Sequence, residues 1–179
     1  MRLVSFAAAL AASALFATLA GSPCAAMQLT SPDLKAGAPM PMANVYPRCG
    51  GRNISPALAW GGAPPATKSL VLTMIDLTPP PHQWSHWIVV GLPPRATGLV
   101  RGVRALPAGA HAIAGNFGDA AYDGPCPPPG SGVHRYQITI WALPKAALSI
   151  APNAPADAVG AMLAHAAIDH ASLTVTAQR

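Results

Sequence analysis

The stretch that decides the fold runs from Tyr136 to Leu143 and reads Tyr-Gln-Ile-Thr-Ile-Trp-Ala-Leu. Most of its residues are β-branched or aromatic, and Gln137 and Thr139 alternate with isoleucines. This period of two is typical of a β-strand with one polar and one apolar face. The sequence therefore predicts a strand over 136–143.

Working outward, further strands are predicted at Ser69–Ile75 (ending at Asp76), at Trp87–Val90 and, shorter, at Ser172–Thr176. One helix is predicted from about Pro155 to Ala167, where apolar residues recur at helical spacing. The 21 prolines and 16 glycines disfavour long helices and predict many turns. The expected fold class is mainly β, with antiparallel strands and few helices.

Candidate functional residues stand at the ends of these strands. Asp76 ends one strand, His86 stands at the start of the next, and the proline-rich connection between them is short. Parallel neighbours need a crossover of a dozen or more residues, so these strands should be antiparallel. Asp76 and His86 then share one rim of the sheet. His134 precedes the strand at 136–143, which would place it at the same rim if that strand runs the same way.

An aspartate and two histidines brought together suggest an anion-binding pocket. A carboxylate near imidazoles favours their charged forms, and charged imidazoles bind phosphate or carboxylate groups. Backbone N–H groups of the Gly/Pro loop at 124–130 can add donors. Trp84, Tyr122 and Tyr136 are candidates for apolar walls and a hydroxyl.

Other interpretations of the same residues stay open. Asp76 can be a turn-capping residue, and His86 and His134 can be structural histidines. The set also has the chemistry of a transition-metal site, although its spacing matches no short metal motif. A hydrolase with a histidine base would need a nucleophile; Ser85 should point to the opposite face of its strand from His86, and there is no Gly-x-Ser-x-Gly motif.

The N-terminus has the pattern of a secretory signal peptide. Met1-Arg2 precedes an apolar stretch to about Ala20, which is followed by small residues. We expect cleavage after Ala26, a mature domain over 27–179, and a periplasmic or secreted location. An uncleaved anchor and lipid attachment at Cys24 are the alternatives. Pro23, directly before Cys24, fits a lipid-attachment site poorly.

Export bears on the two remaining cysteines, Cys49 and Cys126. An oxidising compartment favours a disulfide between them, and free buried thiols are the alternative. A zinc site is disfavoured because neither cysteine belongs to a closely spaced ligand pair.

The formal net charge of +5 is spread along the chain, and its tightest group is Arg95, Arg101 and Arg104. No stripe interleaves basic residues with aromatic ones, which argues against a nucleic-acid surface. A solvated basic surface is the simple interpretation. Attraction to small anions or to an anionic membrane surface is the sharper one.

Several motifs occur in a characteristic order from about Met27 to the end of the chain. They are Asn53-Ile54-Ser55-Pro56 with Leu58-Ala59-Trp60, Asp76-Leu77-Thr78-Pro79-Pro80 with Trp84-Ser85-His86-Trp87, Asn116-Phe117-Gly118, Tyr122-Asp123-Gly124-Pro125-Cys126-Pro127-Pro128, and Gly132-Val133-His134-Arg135-Tyr136. Together they resemble the phosphatidylethanolamine-binding protein family, in particular its bacterial Raf-kinase-inhibitor-like group.

The resemblance implies a large antiparallel sheet packed against a smaller one, and a rim pocket for phosphate, acetate or phospholipid head groups. By position, the implied pocket residues are Asp76, Trp84, His86, Cys126, Pro127, Pro128, His134 and Tyr136. Leu77 and Thr78 depart from the family's Asp-Pro-Asp motif, so a second carboxylate is missing from the mouth. Paired cysteines at corresponding places in secreted relatives support the Cys49–Cys126 bridge. Asn53 fits a glycosylation sequon, but within this motif it is expected to form a structural turn.

The sequence therefore predicts a non-enzymatic binding protein without a cofactor, which holds a small anion or a phospholipid head group and modulates a partner protein. A hydrolase using the same aspartate and histidines, and an interaction protein resembling a protease inhibitor, are the alternatives.

Overall fold

A computed structural model describes residues 26–78 and 83–179. The leader predicted for residues 1–26, with Cys24, therefore lies outside the described residues except for Ala26. The described chain forms eight strands, one α-helix and one short 3-10 turn at Pro47–Cys49. The strands are β1 Gln28–Thr30, β2 Leu58–Gly61, β3 Ser69–Asp76, β4 Trp84–Leu92, β5 Gly98–Leu99, β6 His111–Ala112, β7 His134–Leu143 and β8 Asp169–Ala177, and the helix is α1 Ala156–Ala166.

Two antiparallel sheets make up the fold, which confirms the predicted class. The larger sheet has five strands in the order β6-β4-β3-β7-β8, and the smaller has three in the order β1-β2-β5. The central strand β3 pairs with β4 on one side and with β7 on the other, antiparallel in both cases. The prediction that the strands ending at Asp76 and beginning near His86 are antiparallel is confirmed.

The large sheet is covered on both faces. Leu70 and Leu72 of β3 belong to the core between the two sheets, whereas Val71 belongs to a second core beneath α1. Side chains alternate between faces along a strand, so a strand covered on both sides is apolar throughout. This explains why Ser69–Asp76 is buried at every position and has no polar alternation.

The structure shifts several predicted boundaries. Strand β4 begins at Trp84 instead of Trp87, and β8 spans Asp169–Ala177, almost twice the predicted length. The extra residues at the start of β8 include His170 and Ala171, which continue the ladder with β7. An exposed histidine and a small alanine give little strand signal, so the sequence did not predict this extension. Helix α1 lies within the predicted range, and Pro155 occupies its N-cap.

Cys49 and Cys126 form a disulfide with a Cα–Cα distance of 5.5 Å across a sequence separation of 77. The bond attaches the 3-10 turn at Pro47–Cys49 to the loop that precedes β7. Within residues 26–78 and 83–179, no helix is both long and apolar enough to cross a bilayer.

Candidate functional site

Strand register brings the predicted rim residues together. Asp76 pairs with Trp84 of β4 on one side and with Tyr136 of β7 on the other. His86 lies two residues beyond Trp84, and His134 two residues before Tyr136. Steps of two keep side chains on one face of a sheet. All five side chains line one cavity of about 320 Å³ at the rim; we call them the strand wall.

Asp76 is the polar centre of the strand wall. Its side chain is almost fully buried, and Oδ2 lies 2.6 Å from Nδ1 of His134. Oδ1 accepts a hydrogen bond of 2.9 Å from the backbone N–H of Thr78, and the Tyr136 hydroxyl also donates to the carboxylate. A buried carboxylate with this many donors is held in one orientation.

His134 is bonded at both ring nitrogens. Its Nε2 lies 2.9 Å from Oγ of Ser131, in the loop that leads into β7. The Ser131 hydroxyl is also within 2.7 Å of the carbonyl oxygen of Pro128, to which it can donate. Ser131 was not among the predicted site residues. A serine three residues before a histidine carries no recognisable motif, so only the loop geometry reveals this contact.

The structure corrects the prediction that both imidazoles carry charge. Nδ1 of His86 donates a 2.8 Å hydrogen bond to the backbone oxygen of Asp123, and the residue is almost fully buried although it lines the cavity. Burial lowers the pKa of His86 to about 4, against smaller opposing effects of the Asp123 carbonyl and the Asp76 charge. His86 is therefore neutral at pH 7, and its Nε2 is a hydrogen-bond acceptor.

Tyr136 separates the two histidines. Its ring centroid lies 5.0 Å from that of His86 and 6.4 Å from that of His134. Burial raises the pKa of the Tyr136 phenol, and the Asp76 charge raises it further, so the hydroxyl stays protonated and remains a donor. Tyr136 thus supplies the hydroxyl that the sequence analysis expected.

Tyr122 does not belong to the cavity, contrary to the prediction. Its hydroxyl donates a 2.7 Å hydrogen bond to the backbone oxygen of Asn44, and its ring packs edge-on against Trp87 at 5.4 Å. Burial raises the pKa of this phenol as well. Tyr122 is a core residue because Trp87 points to the face of β4 opposite to that of His86.

Loops complete the cavity with Phe117, Cys126, Pro127 and Pro128, which we call the loop wall. Phe117 is 38% exposed, and its ring contacts those of Trp84 at 5.9 Å and His86 at 5.1 Å. The sequence analysis quoted Phe117 within a motif without assigning it to the pocket. An aromatic residue in a polar, glycine-containing loop was the available signal.

Phe117 is positioned by its neighbour Asn116. The Asn116 side-chain oxygen accepts hydrogen bonds of 2.7 Å from both the backbone N–H and the hydroxyl of Ser85. The backbone N–H of Asn116 donates a 2.9 Å hydrogen bond to Oγ of Ser85. The buried Ser85 hydroxyl is therefore committed to holding this loop. This agrees with the prediction that Ser85 faces away from His86.

The proline part of the loop wall is held by Asn53. Its side chain accepts a 2.7 Å hydrogen bond from the N–H of Gly124 and donates one of 3.0 Å to the oxygen of Tyr122. Asn53 adopts φ +52°, a left-handed conformation that asparagine tolerates. Position 124 requires glycine because a Cβ there would lie only 2.0 Å from the backbone oxygen of Asn44. The Asn53 side chain is thus used structurally, as the turn interpretation expected.

A pair of carboxyl groups lies behind the loop wall. Burial raises the pKa of Asp123 to about 7, and a hydrogen bond and the charge of the exposed Asp119 add to this shift, against a smaller effect of Asn53. Asp123 therefore keeps its proton up to the neutral pH range. Because the Asp123 carbonyl accepts the His86 proton, this pair is connected to the strand wall.

Thr78 stands where the resembled motif has its second aspartate. Its hydroxyl accepts a 2.7 Å hydrogen bond from the backbone N–H of Arg135 at the start of β7. With threonine instead of aspartate at position 78, this side chain bonds to the start of β7, and Asp76 is the carboxylate of the strand wall. Among the described residues, no group of three or more His, Cys, Asp or Glu side chains is arranged to hold a metal ion.

Comparisons with known proteins agree with the fold and the motifs. The sequence model of the phosphatidylethanolamine-binding protein family matches residues 30–178. The chain is 37% identical over 147 residues to YbcL of Escherichia coli, covering 78% of this chain and 80% of that protein. It is 35% identical over 150 residues to LppC of Mycobacterium tuberculosis, which carries a lipoprotein name, covering 84% of this chain and 71% of the relative.

Solved structures give the same result. The crystal structure of YbcL, described as a member of the mammalian PEBP family, superposes with a TM-score of 0.79 at 34% identity and covers 87% of this chain and 99% of that one. A homolog from Chlamydia trachomatis superposes with a TM-score of 0.70 at 32% identity, covering 86% and 98%. With its two sheets, its rim cavity and its ordered motifs, this chain belongs to the phosphatidylethanolamine-binding protein family.

Proposed function

We propose that the protein is an exported binding protein whose rim cavity holds a small anion or the anionic head group of a phospholipid. The observation that carries the proposal is the buried Asp76–His134 pair at the base of a cavity whose other walls are mostly aromatic rings and prolines. Ligand cavities commonly combine apolar walls with a few fixed polar groups.

His134 is the group best placed to receive the anion. Asp76 accepts the Nδ1 proton, and a proton at Nε2 makes the ring a cation with a second donor. That donor faces Ser131 at 2.9 Å, so an anion binds His134 by sharing or replacing the Ser131 contact. Asp76 itself is occupied by Thr78, His134 and Tyr136. It therefore orients the imidazole and does not present a free charge to the ligand.

Neutral His86 restricts the form of the ligand. Its Nδ1 proton is used by the Asp123 carbonyl, so Nε2 can only accept. A fully deprotonated phosphate offers no proton to such an acceptor. A monoprotonated phosphate, or a head group with an ammonium, offers both an anionic oxygen for His134 and a donor for His86. Phosphoethanolamine has both features.

The aromatic rings at the mouth fit a head group better than they fit a bare ion. Trp84 is 42% exposed and meets Phe117 edge-to-face. Such rings present apolar surface and negative ring faces that attract organic cations. A head group carrying both phosphate and ammonium would use the strand wall and this aromatic pair together.

Export is part of the proposal. The leader-like N-terminus, the Cys49–Cys126 disulfide and the similarity to a relative with a lipoprotein name all support a location in the cell envelope or outside the cell. Binding of this ligand, with modulation of a partner protein, is the role proposed for the cavity.

Calorimetric titration with inorganic phosphate and with phosphoethanolamine tests the site. We expect His134→Ala to weaken phosphate binding about 10-fold to 100-fold, since hydrogen bonds to charged groups contribute about 1.5–3 kcal/mol. Asp76→Asn should weaken it as well, because it removes the charge that holds the imidazole. His111→Ala, a change at an exposed histidine on the edge strand β6, is the matched control.

Thermal melting of each variant separates loss of binding from loss of fold. Equal phosphate affinity in His134→Ala, Asp76→Asn and the wild type would exclude this cavity as the anion site. Vesicles with and without phosphatidylethanolamine, compared with soluble phosphoethanolamine, distinguish a membrane head group from a free metabolite as the source of the ligand.

A further inference from the structure

Three side chains at the cavity rim are connected by hydrogen bonds in a way that anion binding does not require. Oγ of Ser131 lies 2.9 Å from Nε2 of His134, and Nδ1 of His134 lies 2.6 Å from Oδ2 of Asp76. The order of atoms, hydroxyl to Nε2 and Nδ1 to carboxylate, is the order found in serine hydrolases of unrelated folds. Both separations are within hydrogen-bond reach.

We propose that Ser131, His134 and Asp76 form a nucleophilic triad that gives this cavity an acyl-transfer activity toward small carboxylic esters. Ser131 is the nucleophile, His134 the general base, and Asp76 the residue that orients the imidazole. The family resemblance suggests a binding protein only, and the sequence analysis left the hydrolase alternative without a nucleophile. The loop geometry supplies that missing group.

Asp76 is well suited to orient His134. Its side chain is buried and immobilised by the Thr78 N–H and the Tyr136 hydroxyl, so the Nδ1 proton has one fixed acceptor. Nε2 is then the nitrogen available to Ser131. Ser85, by contrast, is bonded to Asn116 and not to a histidine.

Ser131 is exposed, and its hydroxyl is bonded to two residues that line the cavity, His134 and Pro128. Its hydroxyl has two acceptors, the Pro128 carbonyl at 2.7 Å and Nε2 of His134 at 2.9 Å, and one proton to share between them. Pro128 itself belongs to the loop wall. An ester whose acyl group packs against Pro128 would lie next to the Ser131 hydroxyl.

The reaction balances with water as the second substrate. The Ser131 oxygen bonds to the ester carbonyl carbon while its proton passes to Nε2 of His134. The carbon–oxygen bond to the alcohol breaks, and the alcohol leaves with that proton. Water then attacks the acyl-serine, gives a proton through His134 to the Ser131 oxygen, and releases the acid.

The residue after the nucleophile supports the developing oxyanion. Gly132 has φ +84°, and within residues 26–78 and 83–179 its backbone N–H has no hydrogen-bond partner. Hydrolases of other folds use the N–H that follows the nucleophile in the same way.

The two roles of the cavity require opposite states of one ring. Anion binding uses His134 with a proton on Nε2, and nucleophile activation needs that nitrogen unprotonated. The titratable groups that face His134 are Asp76 on β3, His86 on β4 and Tyr136 on β7. Phosphate binding and activation of Ser131 therefore exclude each other at this ring.

A fluorophosphonate probe tests the triad on the intact protein. The Ser131 oxygen bonds to phosphorus, fluoride leaves, and the hydroxyl proton passes through His134 to solvent. We expect a single adduct by mass spectrometry, mapped to Ser131, and none in Ser131→Ala. His134→Gln should slow labelling about 100-fold or more, the range of general-base effects. Ser31→Ala, which removes a hydroxyl bonded only to backbone atoms, should label like the wild type.

An absence of labelling, or an equal rate in His134→Gln and the wild type, would overturn the triad. Hydrolysis of p-nitrophenyl acetate that survives Ser131→Ala would overturn it as well. Calorimetry with inorganic phosphate is run on the same wild-type sample. Phosphate binding without an adduct rejects the triad alone, and an adduct without phosphate binding rejects the proposed anion site alone.

Discussion

The strand wall and the loop wall enclose the same cavity but are built in different ways. Asp76, His86 and His134 stand on three adjacent strands whose backbone pairing sets their separation. Phe117 and Pro128 stand on loops that no sheet ladder reaches. The titratable groups are therefore placed by regular hydrogen bonding, whereas the shape of the cavity depends on a few specific contacts.

Those contacts are few enough to name. The Ser85–Asn116 bonds hold Phe117, the Asn53 side chain holds Gly124, and the Cys49–Cys126 disulfide holds the proline segment. The difference suggests that the strand wall determines the chemistry and the loop wall determines which molecule reaches it.

Removing the disulfide should have the largest effect and should act mainly on the loop wall. In Cys49→Ser/Cys126→Ser, we expect the free energy of unfolding to fall by about 4 kcal/mol, from the entropy of closing a loop with a sequence separation of 77. Urea denaturation measures the loss. Phosphate affinity should fall too, because Cys126 and the prolines line the cavity.

The wild-type protein unfolded with and without a thiol reductant is the control for the two serine substitutions. A loss below about 1 kcal/mol, with unchanged affinity, would mean that the Asn53 bonds alone hold this part of the wall. The proposed dependence of the loop wall on the disulfide would then be wrong.

The second prediction uses the carboxyl pair behind the loop wall. The folded-state pKa of Asp123 is raised to about 7, above the ordinary value of 3.8. Between these values the folded protein holds a proton that the unfolded chain releases, so this group makes stability fall as pH rises toward 7. Asp123→Asn should remove that fall and be about 1 kcal/mol more stable than the wild type at pH 8. This is less than the free energy that corresponds to the whole pKa shift, because solvent screens the exposed Asp119.

His86 on the strand wall contributes the opposite slope. Its folded-state pKa of about 4 lies below the ordinary 6.5, so the unfolded chain binds the extra proton and stability falls as pH drops from 6.5 toward 4. Melting curves from pH 4 to pH 8 separate the two walls. Asp119→Asn, the control, should give a smaller change of the same sign as Asp123→Asn. If the stability of Asp123→Asn fell between pH 6.5 and pH 8 by as much as that of the wild type, the assignment would be contradicted.

The strand wall was largely predictable from the sequence because strand geometry is regular. The apolar run ending at Asp76, the short connection before His86 and the position of His134 before β7 together imply one shared rim. The charge of His86 was not predictable in this way. It depends on how deeply the ring is buried and on a bond to the Asp123 carbonyl, a contact between residues 37 apart in the chain.

The loop wall was predictable only where a resemblance supplied it. Cys126 and the prolines were assigned by position in the family pattern, whereas Phe117 was missed and Tyr122 was assigned to the wrong place. Tyr122 and Phe117 lie on the same connecting segment, which has no helix or strand periodicity from which the direction of a side chain could be predicted. Side-chain direction in such segments is set by distant contacts, here those with Asn44 and Ser85.

The smallest expected effect isolates the aromatic part of the loop wall. Phe117→Ala removes a ring that contacts Trp84 and His86 but forms no bond within the Asp76 network. We expect affinity for phosphoethanolamine to fall about fivefold, close to the 1 kcal/mol that an aromatic contact provides, and affinity for inorganic phosphate to change less. Trp84 fluorescence and calorimetry measure both. Val133→Ala, at an exposed apolar residue outside the cavity lining, is the control. Equal losses for the two ligands would show that Phe117 supports the polar base of the cavity instead of selecting the head group, and the division of roles between the walls would fail at this residue.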